Sequence, residues 1–397
     1  MKVLFYHTVL HMLILKLLTI VFMCLASQIL LAQSQLSVIH QEKSAGTSLV
    51  ANTDIKAKEN VFPLRINNYY LDPVNQTITL QLRGTSENGK WLNNTGKIVL
   101  YDLALDKERW VKKINYAKNK LLQGNDILIL SGENSTSRLN MDTGEEQWKT
   151  FNTQISYIDP FTGIGIGYYS DMYSGTTKRL EAVDLKRGNK IWYRDISNEF
   201  GWNDLIPLND SAILLVASGL HTINLKRGGG WDYDAVTGSR DYTSTVVANA
   251  AGILVGALTG VYTMYSGYDV VTDVASNVWM EDSGYYFASK EKITRLDPDG
   301  TARWSYELPR KKTSKSSVFT RDSLVYVINF GYAFLNNRKV NFGKPFIAAF
   351  NKETGRQIFQ TEMDETDVQI ADYILGSDSI MLLFRNKIAK YSMTNGL

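Results

Sequence analysis

The chain has 397 residues, 44% hydrophobic and 21% charged, a balance that belongs to a globular protein and excludes a disordered or fibrous one. Its 43 basic and 40 acidic residues leave a formal charge of +3, too even to mark nucleic acid or an anionic membrane as the main partner. The length suits one large all-β domain or two ordinary domains.

The N-terminus differs in kind from the rest. "MKVLFYHTVLHMLILKLLTIVFMCLASQILLAQSQ" places Lys2 and Lys16 ahead of an apolar run from Leu17 to Ala32. That run is short for a bilayer span, which takes roughly 20 residues, but long enough for the apolar region of an export signal. Small Ala32 before Gln33 marks the expected cleavage point, so residues 1–32 read as a signal peptide. The mature chain is then exported, to a bacterial periplasm or outer membrane; an uncleaved anchor is the alternative. The single cysteine, Cys24, lies inside the run, and cleavage would leave no thiol and no disulfide. "VFM" before Cys24 is a poor match to a lipoprotein signal, and no later segment is apolar enough to span a bilayer.

Residues 33–59 are polar with little periodicity and read as a flexible lead-in. From residue 60 onward, short apolar runs alternate with Gly, Asn and Asp turns: "TITLQL", "DILIL", "SAILLVAS", "GILVGAL", "SLVYVINF" and "SIMLLF". No long amphipathic helix interrupts them, so residues 60–397 read as one all-β domain.

A phrase recurs within it. Asp102, Asn140, Asp184, Asn224, Asp297 and Asn351 occupy one slot. A glycine follows at Gly144, Gly188, Gly228, Gly300 and Gly355, with Asp106 in its place in the first copy. An aromatic closes each copy: Trp110, Trp148, Trp192, Trp231, Trp304 and Phe359. Asp or Asn can accept hydrogen bonds from turn amides, and Gly permits positive φ, so each copy predicts a strand, a tight turn and a second strand. A lone hairpin cannot bury an indole, whereas a neighbouring repeat can.

The slots are 38, 44, 40, 73 and 54 residues apart, a period near that of four-stranded propeller blades. The longest gap holds a degenerate copy, "GILVGAL", "GVYTMYS" and "VVTDVAS", and the 54-residue gap contains the insertion "GYAFLNNRKVNFGKP". "KIAKYSMTNGL" is a truncated last copy, with Ser392 in the Asp slot, that stops before its aromatic strand. "NVFPLRIN" at 60–67 is expected to supply that strand and close the ring. The count predicts an eight-bladed β-propeller.

These phrases resemble the PQQ-like repeat β-propeller family, whose consensus is roughly A-L-D-x-x-T-G-x-x-x-W. Its eight-bladed members include quinoprotein dehydrogenases and the outer-membrane assembly factor BamB. The resemblance implies that Trp110, Trp148, Trp192, Trp231, Trp304 and Phe359 dock one blade on the next. It does not extend to the quinone site: the adjacent Cys pair and the Ca²⁺ ligands beside a catalytic Asp have no counterpart in residues 33–397. No cofactor is expected.

Other chemistry is thin. His40 lies in the lead-in and His221 on a predicted strand, too few for a zinc site or a Ser/His/Asp triad. "GIGIG" at 163–167 lacks the helix a phosphate loop requires, and "LDPDG" at 296–300 lacks the further oxygen ligands of a calcium loop. No catalytic or metal-binding residue is assigned.

The long loops carry what the repeat leaves over. "TSENGKWLNNTG" at 85–96, "YYSDMYSGTT" at 168–177 and "GYAFLNNRKVNFGKP" at 331–345 are expected between second and third strands, with "PRKKTSKSS" at 309–317 between two blades. They hold Trp91, Tyr168, Tyr169, Tyr173, Tyr332, Phe334, Arg338, Lys339, Phe342, Arg310, Lys311 and Lys312. Aromatics interleaved with Arg and Lys are what protein interfaces favour. The expectation is a non-enzymatic scaffold for protein partners in the cell envelope, monomeric by itself and without nucleic-acid binding. The alternative is a small-molecule or metal-binding sensor or enzyme at the propeller's central opening, a PQQ-dependent dehydrogenase being the least favoured form.

Overall fold

The computed structural model describes residues 36–47, 53–171, 175–196, 202, 204–217, 219–234, 274, 276–289, 292–308, 315–335, 338–341, 344–362 and 369–392. All of its regular structure is β. The chain divides into two compact units, residues 1–133 with 137–149, and residues 134–136 with 150–397.

Among the described residues, seven antiparallel sheets of three or four strands follow one another along the chain, here labelled A to G. Sheet A is formed by Arg65–Asp72, Thr77–Thr85, Leu92–Asp102 and Lys107–Asn115. Sheet B contains Asn119–Gly124, Ile127–Gly132, Ser135–Leu139 and Glu146–Phe151. Sheet C contains Thr153–Asp159, Ile164–Asp171, Gly175–Asp184 and Lys190–Asp195. Sheet D contains Asp204–Asn209, Ala212–Val216, Gly219–Asn224 and Asp232–Asp234. Sheet E contains Trp279–Glu281, Gly284–Ala288, Lys292–Leu296 and Ala302–Glu307. Sheet F contains Ser316–Arg321, Leu324–Asn329, Phe346–Asn351 and Gln357–Glu362. Sheet G has three strands, Asp372–Leu375, Ser379–Leu383 and Ile388–Ser392. Each four-stranded sheet is a simple meander, the form of a propeller blade.

The apolar runs that fall on described residues form second strands, which bury both faces: Leu80, Leu82, Leu128, Ile129, Leu214, Leu215, Val325 and Val327 are almost fully enclosed. Gly167 of "GIGIG" sits on a second strand too, where a Cβ would lie 1.9 Å from the Gln154 carbonyl oxygen. Close packing, not phosphate binding, asks for that glycine.

The recurrent phrase is a turn with a seat for an indole. In five copies the slot residue turns its Oδ1 back to accept from backbone amides two and three residues ahead; Asp102 takes Ala104 and Leu105, and Asn224 takes Lys226 and Arg227. Asp297 differs because its turn is one residue shorter, and its carboxylate instead meets Arg303 at 3.3 Å. The tryptophan of one sheet then lies on the turn of the next. Trp110 donates to Met141 O at 2.7 Å, Trp192 to Leu225 O at 2.6 Å, Trp231 to Pro298 O at 2.9 Å and Trp304 to Lys352 O at 2.7 Å. A Cβ at Gly144, Gly228, Gly300 or Gly355 would lie 2.7, 2.7, 2.3 or 2.6 Å from the docked ring. Glycine is thus required twice over, for positive φ (72° at Gly144) and for the indole above it. Trp148 is half-buried at the same place in sheet B, and Phe359 packs in the core between sheets F and G without an N–H to donate.

Trp231 reaches sheet E itself, and Leu214, Val216 and Leu220 pack with Val278, Phe287 and Leu296. Sheets D and E are therefore docked to each other. The degenerate copy expected between them falls almost wholly on residues outside those described.

The N-terminal region differs from expectation. Within the lead-in, Ile39–Thr47 and Asp54–Val61 pair as a two-stranded ribbon with polar cross-strand links, among them Gln41 to Glu59 at 2.7 Å and Lys43 to Glu59 at 2.9 Å. The 60–67 segment does not pair with sheet G: Asn60 and Val61 end this ribbon, while Arg65 and Ile66 pair with Arg83 and Leu82 of sheet A. Between them Phe62 and Leu64, with Leu36 and Val38, cover the face of sheet A formed by Leu80, Leu82, Val99 and Tyr101. That face is apolar, and the segment's side chains remove it from water. Asn60 also donates to the Asp106 carboxylate at 2.8 Å, so the copy that lacks glycine meets a polar side chain.

Candidate interaction sites

Trp91 stands apart among the eight tryptophans. The other seven are buried or half-buried, whereas Trp91 is 73% exposed. It sits between the second and third strands of sheet A on a loop closed by its own bonds. Ser86 N and Trp91 O lie 2.8 Å apart, Gly89 N donates to Ser86 O at 2.8 Å, and Trp91 N donates to Ser86 Oγ at 3.1 Å. Asn88 holds both Ser86 Oγ and Lys90 N through its Oδ1, and Arg83 reaches across to Asn93 O at 2.8 Å. The indole is held out by a built loop.

The other aromatics expected on the surface divide. Tyr168 is buried: its hydroxyl accepts from Trp202 Nε1 at 3.0 Å, and burial pushes its pKa well above the usual phenol range. Tyr332 is buried in the sheet F–G core beside Phe330. Both are corrections: the strand holding Tyr168 runs on to Asp171, and Tyr332 opens a separate hairpin with its ring in the core. Tyr169 is half-buried. Phe334, Arg338 and Lys339 lie on a hairpin, Tyr332–Leu335 with Arg338–Asn341, that leaves sheet F between its second and third strands. Tyr173, Phe342, Arg310, Lys311 and Lys312 lie outside the described residues.

Sequence reasoning missed a cluster on sheet C. Glu181, 1% exposed, accepts from the Thr153 hydroxyl at 2.6 Å and is ion-paired with Lys190 Nζ at 2.8 Å and Arg179 Nε at 2.9 Å, the last without hydrogen-bond geometry. The Arg179 guanidinium lies 4.2 Å from the centre of the Tyr193 ring and 5.6 Å from that of Tyr169, with Lys190 5.3 Å from the Tyr169 ring. A signal existed. The position three before the Asp/Asn slot is buried in every four-stranded sheet and holds Val99, Ser137, Glu181, His221, Thr294 and Ala348. An ionisable residue there needs a partner.

His221, the second such residue, has one. Its Nδ1 is 2.6 Å from Asp232 Oδ1, which also meets Arg194 at 2.5 Å, and its Nε2 is enclosed without a hydrogen-bond partner. Burial lowers the histidine pKa from its usual value, against the pull of Asp232 and Asp234 and with the push of Arg194. A depressed folded-state value means the unfolded chain takes the proton first. Stability should therefore be greatest above the unfolded pKa of about 6.5 and fall as pH drops below it, levelling once the folded form protonates. His221→Gln should flatten the pH 7.5–5.5 part of a thermal-unfolding series. An unchanged slope would exclude this histidine as its source.

Among the described residues no group of three or more His, Cys, Asp or Glu is placed to hold a metal ion, and no helix is long and apolar enough to cross a membrane. The strand order and docked turns define the class: an all-β protein built of propeller blades. No protein-family profile matches the sequence, and no curated protein matches it. Among solved structures the chain is similar to BamB from Moraxella catarrhalis, 11% identical over 90% of this chain and 86% of that one, with a TM-score of 0.39. It is similar to Kluyveromyces lactis Hsv2, 8% identical over 80% and 90%, TM-score 0.37. It is also similar to the dihydro-heme d1 dehydrogenase NirN in complex with DHE, 9% identical over 88% and 68%, TM-score 0.38. The architecture stated above rests on the strand pairing and not on these likenesses.

Proposed function

We propose that this chain is an exported, non-enzymatic propeller that serves as a scaffold for protein partners in the cell envelope. Trp91 carries the reading. Every other tryptophan is used to hold the fold together, while this one is held in water by a loop whose bonds fix it there. Exposed indoles are costly to leave solvated and are prominent among the residues that dominate protein interfaces. The hairpin at Tyr332–Asn341 is a second excursion at the equivalent place in its own sheet.

The test is affinity purification of the tagged, exported protein from its native envelope, followed by mass spectrometry, beside Trp91→Ser. A stoichiometric protein recovered with the wild type and lost with the variant is expected. Recovery of a bound metal or small molecule in place of a protein would overturn the scaffold reading, as would identical protein recovery from both. Trp91→Ser should leave thermal unfolding almost unchanged, because the indole buries little.

A further inference from the structure

The cluster on sheet C holds more positive charge than its structural task requires. One cation suffices to neutralise the buried carboxylate of Glu181, yet both Arg179 and Lys190 converge on it, leaving a formal surplus of one. Neighbouring carboxylates do not absorb that surplus, since Asp195 meets Lys178 at 3.2 Å and Asp184 faces Arg187 at 3.9 Å. Arg179 Nε lies 2.9 Å from Glu181 Oε1 as a charge pair without hydrogen-bond geometry, so the carboxylate does not use up the guanidinium's donors. Both side chains remain partly in solvent, 42% and 36% exposed.

The heads are also fixed before anything binds. Glu181 holds them from below, and the rings of Tyr193 and Tyr169 flank the guanidinium. Ordering a long cationic side chain is a main cost of binding through one, and here that cost is met on folding. A guanidinium over an aromatic ring and partly exposed is suited to take a carboxylate by paired hydrogen bonds.

From this arrangement we propose that sheet C receives an acidic side chain of a protein partner between Arg179 and Lys190, against the exposed ring of Tyr193. The proposal rests on the scaffold reading and adds the chemistry of the partner. An Asp- or Glu-rich segment matches the surplus charge, and the tyrosines provide apolar surface for its stem.

The experiment measures fluorescence anisotropy of a labelled hexaglutamate peptide with the whole exported chain. Arg179→Lys keeps a positive charge beside Glu181 but loses the planar fork, and Tyr193→Ala removes only the exposed ring. Each is expected to weaken binding by roughly fivefold or more, while Lys178→Ala, an exposed neighbour, changes it by less than about twofold. Absence of saturable binding overturns the proposal. So does equal weakening by Lys178→Ala, which would mean diffuse attraction to a basic surface. Trp91→Ser should bind the peptide like the wild type, so a failure of the Trp91 test and a failure here are read separately.

Discussion

Trp110→Ala is expected to destabilise the protein by about 3–5 kcal/mol, the range for removing a buried tryptophan. The indole is 8% exposed, packs with Ile98, Leu100, Ile114 and Leu139, and donates to Met141 O. Trp110→Phe keeps much of the packing and loses the donor, so it should cost about 1–2 kcal/mol, the price of a carbonyl left unpaired. Gly144→Ala should cost about 1–3 kcal/mol, from a left-handed backbone and a methyl driven into the indole. The informative measurement is the pair. In the Trp110→Ala background the clash is gone and only the backbone term remains, so the two losses should fall short of adding. Urea unfolding followed by circular dichroism gives all four values. Strict additivity would show that turn and ring do not act as one joint.

The second large effect concerns Glu181. Replacing both Arg179 and Lys190 by Met leaves a 1%-exposed carboxylate with only the Thr153 hydroxyl, and a loss of about 3–5 kcal/mol is expected. Adding Glu181→Gln should recover most of that loss, because a neutral amide needs no counter-charge. Removing Glu181 alone should cost less, since the cations left behind reach solvent. If the triple variant is no more stable than the double, packing and not charge governs the cluster.

Much of this was legible in the sequence. The Asp/Asn slot, the glycine and the aromatic could be read because each answers a local demand: a carboxylate or amide for turn amides, a positive φ, a large ring to cover. The partner of each ring was not legible in the same way, because the seat lies one repeat further along and is defined by a glycine already accounted for by its turn. Tyr168 and Tyr332 were misplaced for a related reason. Tyr168 lies within a strand that runs past the expected loop start, and Tyr332 is the first residue of the hairpin that the long insertion forms. Glu181 and His221 are charged residues on alternating strands that usually mean an outward face; only the register against Asp/Asn slots reveals that they point inward. The polar ribbon at Ile39–Val61 has no apolar alternation to announce it, and its links are side chain to side chain across two strands.

Asp106 is the one slot residue that breaks the glycine rule, and sheet A is also the sheet whose face is covered by Phe62, Leu64, Leu36 and Val38. Where the other four turns leave room for an indole by having no side chain, this turn carries a carboxylate, which Asn60 engages. The turn that presents a bare glycine in sheets B, D, E and F is here engaged from within, by an amide of the ribbon that precedes sheet A.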